Sequence, residues 1–137
     1  MATINATLNI TNDIASGNVS VAQPMTLYKA GGREGMDTMT SVSKVLTSTD
    51  QVDLITAASV STTHNYVYIS NPSAVSTEYF TVGIGNAGGG SPTETEEIGR
   101  LYARDWMFIP WTADTNEDII VTPSVATKIV VEYVVFS

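Results

Sequence analysis

His64-Asn65-Tyr66-Val67-Tyr68-Ile69-Ser70-Asn71 is dense in β-branched and aromatic residues and is halted by Asn71-Pro72-Ser73. That composition suits a pleated, half-buried surface, and the Asn-Pro-Ser run marks a turn. Glu78-Tyr79-Phe80-Thr81-Val82-Gly83-Ile84-Gly85 follows as a second strand, and the short 72–77 connection predicts a hairpin between the two. The same reading extends in both directions. Upstream, Ile4, Ala6, Leu8 and Ile10 alternate with Thr3, Asn5, Thr7 and Asn9, and Val19, Val21, Met25 and Leu27 resume extended chain after a polar break. Val42 to Thr47 and Val52 to Ala57 are two further strands. Ala30-Gly31-Gly32-Arg33-Glu34-Gly35 is a loop too rich in glycine for a stable helix.

Downstream, Asn86 to Pro92 reads as a glycine-rich loop. Ile98 to Ala103 and Trp106 to Trp111 read as strands of one hairpin, joined by a tight Ala103-Arg104-Asp105 turn. Ile119 to Thr122 and Lys128 to Phe136 complete the chain. About nine short strands at roughly 8–14-residue spacing predict an all-β fold, a two-sheet antiparallel sandwich of jelly-roll type with little or no helix. No dividing linker or fixed-period repeat interrupts residues 1–137, so one sandwich domain is expected over the whole length. A chain of 137 residues can bury a core without staples, and it has no cysteine with which to make one.

Two strands are apolar on both faces. In the first, Trp106 and Phe108 oppose Met107, Ile109 and Trp111; in the second, Ile129, Val131, Tyr133 and Val135 oppose Val130, Val134 and Phe136. Either these are central strands capped by loops, or one face of each meets a neighbouring subunit. The formal net charge is −8, with 14 acidic against 6 basic residues, which disfavours direct nucleic-acid binding. No apolar run reaches the about 20 residues of a membrane span, and the N-terminal stretch lacks the basic and apolar regions of a secretion signal. The three Asn-X-Ser/Thr triplets at Asn5, Asn9 and Asn18 are therefore read as accidents of composition.

Chemistry-bearing motifs are weak. Gly83-Ile84-Gly85-Asn86-Ala87-Gly88 matches G-x-G-x-x-G, but Gly89-Gly90-Ser91-Pro92 cannot open the helix a pyrophosphate needs, so a flexible loop is expected. Asp114-Thr115-Asn116-Glu117-Asp118 begins like a calcium loop, yet Ile119 and Val125 stand where it requires glycine and glutamate. His64 is the only histidine and fits no zinc set or triad. Glu94, Glu96 and Glu97 read as an acidic rim on a loop rather than as a catalytic pair. No catalytic residue, cofactor or metal ligand is assigned, and the chain is not expected to be an enzyme. The expected contact residues are Arg100, Tyr102, Arg104, Trp106 and Trp111, which combine apolar area with scarce positive charge.

The succession Tyr66-Val67-Tyr68-Ile69-Ser70-Asn71, Tyr79-Phe80-Thr81-Val82-Gly83-Ile84-Gly85, Ile98 through Trp111 and Val131-Glu132-Tyr133 resembles small virion structural proteins of tailed bacteriophages, especially those of marine and cyanobacterial hosts. The opening, Asn12-Asp13-Ile14 through Leu27-Tyr28-Lys29-Ala30-Gly31 to Val42, is similar to the N-terminal half of the same type. These are packing and turn motifs without a chemical signature. The resemblance implies a capsid decoration (cement) protein of the virion, assembled in the host cytoplasm. It would act as a homo-oligomer, with a trimer as one form, bridging major capsid protein subunits. A neck, tail or fibre-base component is the alternative, and a carbohydrate-binding module using Trp111, Tyr102 and Tyr79 comes third.

Overall fold

The computed structural model describes residues 3–12, 20–60, 64–86, 93–115 and 117–137. Its strands are β1 Asn5–Thr11, β2 Ser20–Thr26, β3 Met39–Leu46, β4 Val52–Ile55, β5 His64–Ser70, β6 Phe80–Asn86, β7 Thr93–Leu101, β8 Trp106–Thr112, β9 Asp118–Pro123 and β10 Ile129–Phe136. A one-turn 3-10 helix, Ala57–Ser59, is the helical element among the described residues. The chain divides into two compact units, Met1–Thr38 and Met39–Ser137, where the sequence reading has one sandwich over its whole length.

The first unit is built on a ribbon. β1 and β2 pair antiparallel only with each other, Asn5 opposite Thr26 and Thr11 opposite Ser20. The alternation read from sequence sets one face as Ala6, Leu8, Ile10, Val21 and Met25, of which Leu8, Ile10 and Met25 are exposed. Past β2 the chain folds back through a Tyr28–Gly35 bridge. The ammonium of Lys29 ties this loop, 3.1 Å from Glu34 and 3.3 Å from Asp37. Gly35 has a local cause: a Cβ there would stand 2.8 Å from the Thr3 side chain, a separation real atoms do not tolerate.

The second unit is the antiparallel sandwich. Its strands form nested pairs, β3 with β10, β4 with β9, β5 with β8 and β6 with β7. Additional β10–β5 and β6–β9 pairing assembles them into two four-stranded sheets, ordered β3-β10-β5-β8 and β4-β9-β6-β7. Two expected hairpins are therefore absent. β5 and β6 lie in different sheets, and so do β7 and β8. Sheets stack about 10 Å apart, and both connections climb that step from one sheet to the other. Local spacing alone does not separate such a crossover from a hairpin.

Period-two alternation fills the space between the sheets. Leu46, Val67, Ile69, Trp111, Ile129 and Val131 from one sheet meet Leu54, Phe80, Val82, Leu101, Ile119 and Val121 from the other. Burying each such side chain stabilises the fold by about 1.5–3 kcal/mol. At the edge where β3 and β4 lie, Lys44 points inward, and its ammonium donates a hydrogen bond to the Asp53 carbonyl at 2.8 Å. β9 is buried on both faces, with Ile120 fully inaccessible opposite its core-facing neighbours Ile119 and Val121.

Asp53 of β4 has a side-chain oxygen, Oδ1, that is buried without a hydrogen-bond partner. Burial pushes its carboxyl above the ordinary value, the Asp118 carboxylate adds to that, and Lys44 opposes it. The folded state thus holds the proton more tightly than the unfolded chain does. Asp53 then contributes most to stability at low pH, and that contribution is lost as pH rises through the raised value. Asp53→Asn removes the charge and is expected to melt a few degrees above the wild type at pH 7, with the gap closing as pH falls toward the ordinary value of 3.8. Thermal scans at several pH values check this; an unchanged gap across the range contradicts it.

Candidate functional site

The outward faces of the two sheets differ. On β3-β10-β5-β8 the register aligns Met39, Phe136, Tyr66 and Pro110 in one row across all four strands. The next row is Ser41, Val134, Tyr68 and Phe108, followed by Ser43, Glu132, Ser70 and Trp106. Glu132 is the single charge in these three rows. Phe108 sits at their centre, stacked on Tyr66 at 5.6 Å and 9° and edge-on to Phe136 at 6.0 Å. Tyr68 leans on Trp106 at 6.0 Å, and His64, at the start of β5, sets its ring edge-to-face against Tyr66 at 5.2 Å. Aromatic pairs of this kind contribute about 0.5–1.5 kcal/mol beyond their buried area. They make the face stiff while leaving Met39 62% and Trp106 54% exposed.

One end of the sandwich is organised by Asn71, buried immediately after β5. Its side-chain amide donates to the carbonyls of Glu78 and Leu101, each at 3.1 Å, and its side-chain oxygen accepts from the Ser73 N–H at 3.1 Å. Its backbone accepts from Arg104 N–H at 2.8 Å and donates to the Asp105 carbonyl at 3.0 Å. One residue therefore binds the β5–β6 connection to the β7–β8 turn. In that turn Arg104 takes φ 71°, and the Asp105 carboxylate accepts from Tyr102 N–H at 3.0 Å. Tyr102 lies 5.2 Å from Tyr79, while the Arg100 guanidinium sits 5.6 Å from the Tyr79 ring centre and its Nε is 3.4 Å from Glu97.

The five expected contact residues thus separate. Trp106 projects onto the open aromatic face, and Arg100, Tyr102 and Arg104 are exposed near the Asn71 corner. Trp111 is core: it is 2% exposed, and its indole N–H donates to the Glu117 carbonyl at 2.8 Å. Alternation along β8 turns Trp111 inward with Met107 and Ile109, opposite Trp106 and Phe108. Sequence reading missed Tyr66, Tyr68 and Phe136 as companions of Trp106. Their shared parity on paired strands was the available signal, but the pairing of β5 with β8 and β10 was not.

The other motifs resolve into structure. Glu94, Glu96 and Glu97 lie on β7, an edge strand, rather than on the expected loop, with Glu96 opposite Ile84. Thr93 to Glu97 reads as loop because the run contains no apolar residue. Of the glycine-rich motif, Gly83, Ile84, Gly85 and Asn86 belong to β6; residues 87–90 lie outside the described residues. Asp118 is buried and its carboxylate accepts from Ala57 N–H at 2.6 Å, while Asp114 accepts from Thr115 N–H at 2.6 Å. Asn116 is outside the described residues. Among the described residues no group of three or more His, Asp or Glu side chains is placed to hold a metal ion, and no helix is long and apolar enough to cross a membrane.

Asn71→Ala is expected to destabilise the sandwich by about 3 kcal/mol, because it strips partners from two buried carbonyls and one N–H. Asn71→Asp keeps the shape but cannot donate when ionised, and should cost a similar amount at neutral pH. Urea unfolding of the two variants measures both losses; a cost under about 1 kcal/mol for either would show the corner to be held by its backbone alone. Comparison of the chain with protein-family models, with curated proteins and with solved structures finds no match.

Proposed function

We propose that this chain is a virion structural protein, a head decoration (cement) protein of a tailed bacteriophage that bridges neighbouring major capsid protein subunits. The reading rests on the likeness of its strand motifs to such proteins, and on one structural observation in particular. The outward face of β3-β10-β5-β8 is broad, aromatic and almost uncharged, with Met39 and Trp106 more than half exposed. Large exposed apolar patches mark interaction surfaces, and interface energy concentrates in aromatic anchors. In this reading Trp106 and the aromatic rows anchor the sandwich to its neighbours. The wrapped order of nested pairs is read as a jelly roll, an architecture common in viral shell domains. A net charge of −8 places such a protein more favourably outside a shell than against packaged DNA. Homo-oligomers, including trimers at local three-fold positions, would multiply weak single contacts into avidity across joints.

The double variant Met39→Ser/Trp106→Ser tests the surface without touching the core. Both side chains are more than half exposed, so Met39→Ser should be nearly neutral and Trp106→Ser, which gives up the contact with Tyr68, should cost about 1–2 kcal/mol and leave the isolated domain folded. Incorporation into heads should fall sharply, and decorated heads should lose heat resistance. Normal decoration by the double variant would remove this face from the proposal. Density for the chain at the neck or tail, with a copy number far below that of the major capsid protein, would favour the tail component instead.

A further inference from the structure

We propose that the cleft between the 72–79 connection and the 102–105 turn is a carboxylate-binding site that takes an acidic side chain from a peptide segment of a partner protein. The cleft has a volume of about 330 Å³ and is lined by Ala74, Ser76, Tyr102, Ala103 and Arg104. Its cation is Arg104. That side chain is exposed, and among the described residues it makes no ion pair and no side-chain hydrogen bond. Arg100 is in a different state: it is engaged by Glu97 and lies over Tyr79, so it serves as a wall that steadies Tyr79 against Tyr102. Within this acidic chain the cleft therefore presents a free guanidinium beside a braced phenol.

The backbone strengthens the assignment. Arg104 stands at φ 71°, the left-handed region that favours glycine or asparagine. The turn is over-determined around it. Arg104 N–H donates to the Asn71 carbonyl at 2.8 Å, and Asp105 N–H donates to the Tyr102 carbonyl at 2.9 Å. The chain thus keeps a charged residue at a backbone position whose conformation it does not suit, in a turn whose backbone is pinned. The backbone root of the side chain is thus fixed at the cleft, and the exposed guanidinium is ordered only when it pairs with a carboxylate, for which its planar fork is suited.

Chemistry selects the occupant. Beyond the cation, the cleft offers one phenol and one serine hydroxyl, and the alanines are apolar. A saccharide carries several hydroxyls that this lining cannot match. An aspartate or glutamate side chain needs one cation for its carboxylate and an apolar bed for its methylenes, which Tyr102, Ala74 and Ala103 supply. The inference is independent of the capsid reading, since it concerns the isolated chain and a peptide.

The test is an amide NMR titration of the isolated protein with three probes: an N-acetylated tetraglutamate amide, its glutamine counterpart, and galacturonate. Saturable shifts confined to residues 74–76 and 102–105 are expected with the glutamate peptide and not with the glutamine one. Arg104→Gln should weaken that binding about tenfold, and Arg104→Lys should restore part of it. Arg104→Gly should lose binding equally while melting at a higher temperature, because it relieves the left-handed strain. The proposal is overturned by the absence of saturable shifts up to about 10 mM peptide, by equal binding of the glutamine peptide, or by Arg104→Gln binding like the wild type. Galacturonate binding as tightly as the peptide also overturns it, in favour of an acidic sugar.

Discussion

The hydrogen bonds of Asn71 are the constraint on which one end of the sandwich depends. A sandwich whose consecutive strands alternate between sheets must repeatedly lift its backbone across the core, and every lift leaves peptide groups outside any ladder. At this corner the β5–β6 and β7–β8 crossings run side by side, and one buried amide satisfies groups of both. The left-handed turn at Arg104 follows from it: with the Arg104 N–H and the Asp105 carbonyl both fixed on Asn71, few backbone paths remain. The cleft beside that turn is a consequence of the same knot.

Nested pairing explains why the two sheets have unlike surroundings. Each strand of the β4-β9-β6-β7 sheet near its centre is small or apolar on both faces, as Gly83, Gly85 and Ile120 show, and all three are buried. The other sheet turns mostly aliphatic residues and Trp111 inward and gathers five aromatic rings, Tyr66, Tyr68, Trp106, Phe108 and Phe136, on its outward face. Tyr66 and Tyr68 on β5 share parity with Trp106 and Phe108 on β8, so antiparallel pairing gathers them onto one surface. Aromatic rings there cover one another's edges and still leave Trp106 more than half in solvent.

The fold class was legible because period two and turn residues are local signals. Strands β3, β5, β6, β8, β9 and β10 stand close to where alternation puts them, and the common face of Ile129, Val131 and Val135 reads directly from the chain, although which face of that strand is inward does not. Partner choice was not legible. Hairpins were expected between β5 and β6 and between β7 and β8, because short connections favour them; here the same lengths span the gap between sheets. Trp111 illustrates the cost of that blindness. Its sequence neighbour Trp106 has the opposite parity, yet without the sheet's orientation nothing in the composition says which tryptophan is core. The start of β7 was missed for a different reason: Thr93 to Glu97 holds no apolar residue, so period two has nothing to mark there.

The four edges of the sandwich bear on how the second unit can associate. A free strand edge is a template for unlimited pairing, and stable proteins blunt it. Here β4 has only four residues. β3 turns Lys44 inward. β7 carries Glu96 and Glu97, and β8 carries Pro110, which has no N–H to offer. Each edge is closed by a different device, so extension of the sheets by strand addition is disfavoured on every side. Contacts are then left to side-chain surfaces, where geometry limits the number of neighbours. A sandwich with guarded edges and one exposed aromatic face offers side chains rather than backbone to any contact, and growth into a fibre by strand addition is thereby disfavoured.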